Sequence, residues 1–123
     1  MNGNPYQRYK EETVMTMTQG ELLLLLYDEL LKRLRAAELL AEKEDYDQFE
    51  AQVTRAEEII RYLKDTLDFN YPISNELYQF YDFFLVELGR IKAGRKGERI
   101  EKIKALVQEL RDSFEEAEKK VAQ

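Results

Sequence analysis

The sequence predicts an all-α domain, an antiparallel up-and-down four-helix bundle preceded by a short N-terminal leader able to add a helical turn or cap. Three observations lead there. Apolar residues recur at spacings of three and four in four successive segments, the signature of amphipathic helices. Each segment is bounded by capping residues or breakers. Apolar residues make up 44% of the 123-residue chain and charged ones 36%, with Leu, Glu, Lys and Arg abundant and β-branched residues sparse, a composition that favours soluble helices.

Residues 1–17 read as the leader and residues 18–123 as one bundle domain. Thr18 with Glu21 forms a capping box, so a first helix is expected from near Gln19 to about Glu44, with Leu23, Tyr27, Leu30, Leu34, Ala37 and Ala41 inward. Asp45 and Gln48 repeat that capping pattern before a second helix. Its core stripe is Phe49, Val53, Ala56, Ile60, Leu63 and Leu67, and Tyr71-Pro72 is expected to stop it, because the residue before a proline is pushed out of the helical region. Ser74 is expected to cap a third helix carrying Leu77, Tyr81, Phe84, Leu88 and Ile91. Gly94 and Gly97 bracket a basic turn. A fourth helix then runs from Glu98 with Ile100, Ile103, Val107, Leu110, Phe114, Ala117 and Val121 inward. Four such helices joined by short loops pack as an up-and-down bundle.

The absences narrow the function. The chain has no histidine, cysteine or tryptophan, which excludes a Ser/His/Asp triad, a thiol nucleophile, zinc or haem ligation through His or Cys, and a Glu-x-x-His di-iron site. The acidic cluster Glu115, Glu116 and Glu118 offers no substitute, since neighbouring helical positions diverge instead of converging on one point. No catalysis and no cofactor are expected. A net charge of −6 and a pI near 4.9 argue against nucleic acid as a partner, which needs a basic field. Arg90, Lys92, Arg95, Lys96, Arg99, Lys102 and Lys104 do cluster around the last turn, and they read first as a solvated loop. Met1 to Lys10 lacks a signal-peptide core, and the leucine run is far shorter than the roughly 20 residues of a membrane span, so no stable membrane insertion and a cytoplasmic location are expected. The missing cysteines suit a reducing compartment.

The run Leu22 to Leu26 puts apolar surface on every side of its helix. A bundle needs only one such side, and the other is left for something else. Each residue advances about 100° around a helix. On that geometry Leu25 and Leu39 lie nearly opposite the core stripe, Leu22 lies to its side, Phe83 and Val86 point outward from the third helix, and Tyr78, Phe80 and Leu85 flank its stripe. Ile59, Tyr62 and Phe69 do the same on the second helix. Few charges separate them in the list, and together they exceed what a bundle core requires, which favours a surface for a partner helix or extended peptide. Tyr6 and Tyr9 in the leader, three residues apart, form a possible cover for that surface. The candidate partner-binding set is therefore Tyr6, Tyr9, Leu22, Leu25, Tyr62, Tyr78, Phe80, Phe83 and Val86.

Asn4-Pro5-Tyr6-x-x-Tyr9, Val14, Thr16 and Gly20-Glu21-Leu22 leading to Leu26-Tyr27-Asp28 resemble the opening of the FliS family of flagellar secretion chaperones. Leu63, Thr66-Leu67, Leu77-Tyr78, Tyr81-Asp82 and Glu109-Leu110-Arg111-Asp112 continue the resemblance in order along the whole chain. Gln19 stands where the family commonly has proline, Glu29 where glycine is frequent, and Phe114 where tryptophan is frequent. The resemblance implies a bundle that wraps the C-terminal segment of flagellin around itself, prevents premature polymerisation and delivers flagellin to the type III export gate. It also implies contacts with an anti-sigma factor and a second flagellin-binding regulator, and a monomer or weak homodimer. The competing reading is a homo-oligomeric structural or adaptor bundle, whose extra apolar faces bury against a second copy.

Overall fold

The computed structural model describes residues 17–122. Four helices follow in order: α1 (Gln19–Glu42), α2 (Tyr46–Asp65), α3 (Ile73–Gly94) and α4 (Ile100–Ala122), the last preceded by a 3-10 turn over Gly97–Arg99. They form the expected all-α four-helix bundle. Helix α1 packs closely on α2 and α4, and α2 on α3, whereas α3 and α4 meet much less closely. The described residues contain no strand.

The capping box at α1 forms as read. The Glu21 N–H donates to Thr18 Oγ1 at 3.1 Å and the Thr18 N–H donates to Glu21 Oε1 at 2.9 Å, satisfying two of the amides that a helix start leaves free. Helix α1 ends two residues before the expected Glu44. Glu44 instead takes the left-handed conformation (φ 58°), with the Asp45 N–H on the Leu40 carbonyl and the Glu44 N–H on that of Ala41. This is a Schellman ending. Asp45 then caps α2 by accepting from the Gln48 N–H at 3.3 Å, so three residues close one helix and open the next. The turn between α3 and α4 has the same form, with Lys96 N–H on the Ile91 carbonyl and Arg95 at φ 54°. Gly94, expected to bracket this turn, stays helical, and the left-handed position falls on Arg95. Gly97 matters for a different reason: a Cβ there would collide with that of Ala41.

Three expectations need correction. Helix α2 stops at Asp65 with Thr66 at its cap, well before Tyr71-Pro72, because the chain turns at Asp68, whose side chain accepts the Asn70 N–H at 2.9 Å. Ser74 is not the cap of α3. It lies buried in the first turn, donating its hydroxyl to the Asp68 carbonyl at 2.6 Å, and Pro72 starts the helix with a fixed φ. At the other end of the chain, Ala117 and Val121 face outward, Val121 at 82% exposure. The apolar stripe of α4 continues there, but Glu118 already lies over Gly20 in the first turn of α1, and few of the described residues lie beyond it.

The core holds Tyr27, Leu30, Leu34, Phe49, Val53, Ile60, Tyr81, Phe84, Leu88, Ile91, Ile100 and Val107, all essentially inaccessible. Leu31 joins them although it lies off the predicted stripe, because α1 is covered by helices on both sides and so buries a wider face. Leu23, Ala41, Leu67, Leu110 and Phe114 are only half-buried, as are Ile59 and Leu85, which rest against the core's edge. Among the described residues, one charged group enters the interior. Glu57 is buried and accepts from Lys92 Nζ at 2.7 Å, while the same Nζ donates to Thr54 Oγ1 at 3.2 Å, tying α2 to α3.

Candidate functional site

Antiparallel packing brings the start of α1, the end of α2, the start of α3 and the end of α4 to one pole. That pole holds an apolar cavity of about 440 Å³. Leu22, Leu23 and Leu26 wall it from α1, Tyr62 and Leu63 from α2, Leu67 from the connection after it, and Leu77, Tyr81 and Phe114 from the other two helices. Its floor rests on a hydroxyl pair, Tyr27 and Tyr81, 2.6 Å apart. Burial pushes both phenols above their ordinary pKa. The Tyr27 ring also stacks obliquely on Phe114, centroids 5.5 Å apart. The Tyr71 side chain, from the connection between α2 and α3, forms part of the rim.

The candidate residues fall in several places around this pole. Tyr6 and Tyr9 lie outside the described residues. Leu22 and Tyr62 meet at the cavity, and Leu25 stands on the outer side of α1. Tyr78 lies apart from them on the α2 side of α3, its ring 6.0 Å from Phe69 with Lys64 Nζ 4.7 Å above it. Lys64 is held there by Asp82 at 2.5 Å. Phe80 lies on the opposite flank of α3 and faces α4, where it lines a groove with Leu106 and Leu110. Phe83 and Val86 are exposed on the outer surface next to it. The seven described candidates thus form a broken belt around one half of the bundle and do not share a single groove.

Sequence reasoning left three belt members out of the set. Phe69 and Tyr71 in the α2–α3 connection and Ile73 at the start of α3 are all half exposed or more, and an aromatic-rich loop around Pro72 is a signal in itself, since loops have no core to fill. The opposite pole carries a hollow of about 510 Å³ lined by Arg35, Glu38, Glu42, Arg95 and Glu98 beside Leu39 and Tyr46, where the charges compensate one another. The basic cluster is similarly occupied: Lys92 pairs with Glu57, Arg90 and Arg99 with Glu87, and Lys104 with Glu38 and Glu101, while Arg95 lies 4.6 Å over the Tyr46 ring. No helix among the described residues is long and apolar enough to cross a membrane.

A family model described as "Flagellar protein FliS" matches residues 2–121. This chain belongs to the FliS family. Among FliS-family relatives, the flagellar secretion chaperone FliS of Bacillus subtilis (strain 168) is 30% identical over 114 residues, covering 93% of this chain and 86% of its own. A solved structure described as a flagellar chaperone from bacteria superposes with a TM-score of 0.79 at 22% identity, over 94% of this chain and 95% of that one. It supports the FliS bundle as the fold.

Proposed function

We propose that this FliS-family chain is a cytoplasmic secretion chaperone that binds the C-terminal segment of flagellin, keeps it from polymerising and hands it to the flagellar type III export apparatus. The single observation behind this reading is the belt of exposed apolar and aromatic side chains encircling one half of a bundle whose core is complete without them. A segment that wraps the bundle would cover the belt's separate parts in turn, which a single straight helix would not. A partner disordered when free folds as it binds, and the buried apolar area offsets its ordering cost. Tyr6 and Tyr9 would cover part of this surface when the partner is absent. The export gate, an anti-sigma factor and a second flagellin-binding regulator are further partners under this reading, and the free chain is a monomer or weak homodimer.

The test is co-purification from a flagellated cell's cytoplasm with full-length flagellin and with flagellin lacking its C-terminal segment. Retention of the first and loss of the second is expected. Absence of flagellin from the bound fraction, with light scattering showing a stable oligomer of this chain alone, would instead assign the belt to self-association.

A further inference from the structure

The contact between α3 and α4 is the loosest between neighbouring helices in the bundle. Into this seam opens a groove of about 480 Å³ with Phe80, Leu106 and Leu110 as its apolar floor. Phe83, 47% exposed, lies one turn along α3 from Phe80 and extends that floor, as helix geometry places residues three apart on one side. The edges are acidic. Glu109 and Asp112 line the groove from α4, and Glu76 precedes Phe80 by one turn on α3. Asp112 is engaged by Gln108 and Arg111, whereas neither Glu76 nor Glu109 joins an ion pair among the described residues. The wider field has the same sign. The chain carries a net charge of −6, while Arg90, Arg95, Lys96, Arg99 and Lys102 crowd the opposite pole, so the half bearing the belt is the acidic half.

From this juxtaposition we infer that the α3–α4 groove takes an amphipathic helix of the partner whose polar flanks carry lysine or arginine. Its apolar face seats on Phe80, Phe83, Leu106 and Leu110, and its cations face Glu76 and Glu109. The helix acts as a fifth member, filling the seam that α3 and α4 leave open. Charge decides against the other occupants. A second copy would bring its own carboxylates against these, and residues 1–16 carry Arg8 and Lys10 against Glu11 and Glu12, with no net attraction to offer. The inference rests on the proposal that the belt receives a partner segment and adds the chemical class of that segment.

Two labelled synthetic helices test it, with identical leucine faces and either lysine or glutamate at the polar positions, titrated against the full chain by fluorescence anisotropy. The lysine peptide should bind roughly tenfold more tightly at low salt, and the gap should close near 1 M salt, where charges are screened within about 3 Å. The double reversal Glu76→Lys/Glu109→Lys should invert the preference, and Glu42→Lys/Glu98→Lys at the far pole should leave it unchanged. Equal affinities, a glutamate preference, or equal sensitivity to the far-pole reversal would overturn the charge assignment while leaving the belt intact. Failure of both peptides to bind, together with wild-type flagellin binding by Phe80→Ala/Phe83→Ala, would remove the groove as a site. Light scattering that shows a dimer of the free chain dissolved by either peptide would give the groove to a second copy.

Discussion

The hydroxyls of Tyr27 and Tyr81 meet at 2.6 Å beneath the apolar cavity, joining α1 to α3 across the interior of the bundle. Among the described residues each is the other's only side-chain hydrogen-bond partner, and both rings are buried. Tyr81→Phe leaves the Tyr27 hydroxyl without its partner and should cost about 1–3 kcal/mol. The double change to phenylalanine should cost less than the sum of the singles, because no orphaned hydroxyl remains. Urea titration of the three variants checks this, and strict additivity would mean that the pair is not coupled.

The same pair makes the fold sensitive to alkali. Burial raises both phenols above their ordinary pKa, so folding favours the protonated form. Its stabilisation is complete below the unfolded value near pH 10 and is lost as pH rises from there toward the raised folded values. Phenolate absorbance should show the exposed tyrosines titrating first and these two ionising only with loss of helical circular dichroism.

Phe83 and Phe84 are sequence neighbours with opposite roles. Phe84 is inaccessible, and its ring lies 6.0 Å from that of the half-exposed Phe83. Phe84→Ala should lower stability by about 3–5 kcal/mol. Phe83→Ala and Leu25→Ala should melt within about 0.5 kcal/mol of wild type and weaken flagellin binding instead. Thermal melts beside a binding titration separate the two classes, and a large destabilisation by Phe83→Ala would place that ring in the core.

Glu57 and Lys92 are unequal members of their pair, since the carboxylate is buried and the ammonium stem reaches the surface. Lys92→Met strands the buried charge and should cost more than Glu57→Gln, which leaves a neutral acceptor and an ammonium able to find water. A difference of roughly 1–2 kcal/mol is expected. Equal costs in guanidinium denaturation would show that the carboxylate is already hydrated.

Deleting residues 1–15 should leave the Thr18 cap and the bundle intact and increase flagellin affinity if that segment covers the belt. Loss of helical circular dichroism in the truncated chain would place the segment in the fold.

The bundle was legible in the sequence because its core obeys a three-and-four spacing that few alternatives satisfy. Boundaries were read well where a side chain caps locally, as at Thr18 and Asp45, and poorly where the ending depends on backbone geometry. A left-handed glutamate or arginine has no compositional mark, so Glu44 was read as the helix's last residue and Arg95 was passed over for the glycines beside it. Ser74 looked like a cap because the hydrogen bond that defines it runs back to Asp68, outside the helix. Val121 fits the α4 stripe yet is exposed, since periodicity says which face is apolar and not where the neighbours end. The candidate surface residues were found one at a time, but their division between the two flanks of α3, and the carboxylates beside Phe80, depend on which helix stands opposite.

The two Schellman turns lie at the same pole, opposite the cavity. There, α1 is bound to α2 and α3 to α4 by connections of a few residues, and Gly97 lets the last turn press against Ala41. At the cavity pole, among the described residues, the start of α1 and the end of α4 meet through side chains, Glu118 lying over Gly20 and Thr18. Among the described residues the backbone therefore clips the helices into two hairpins at one pole, α1 with α2 and α3 with α4, and joins α2 to α3 at the other. On the proposal that the belt takes a partner segment, that segment would seat beside α1 and α4 at the cavity pole without straining any loop among the described residues.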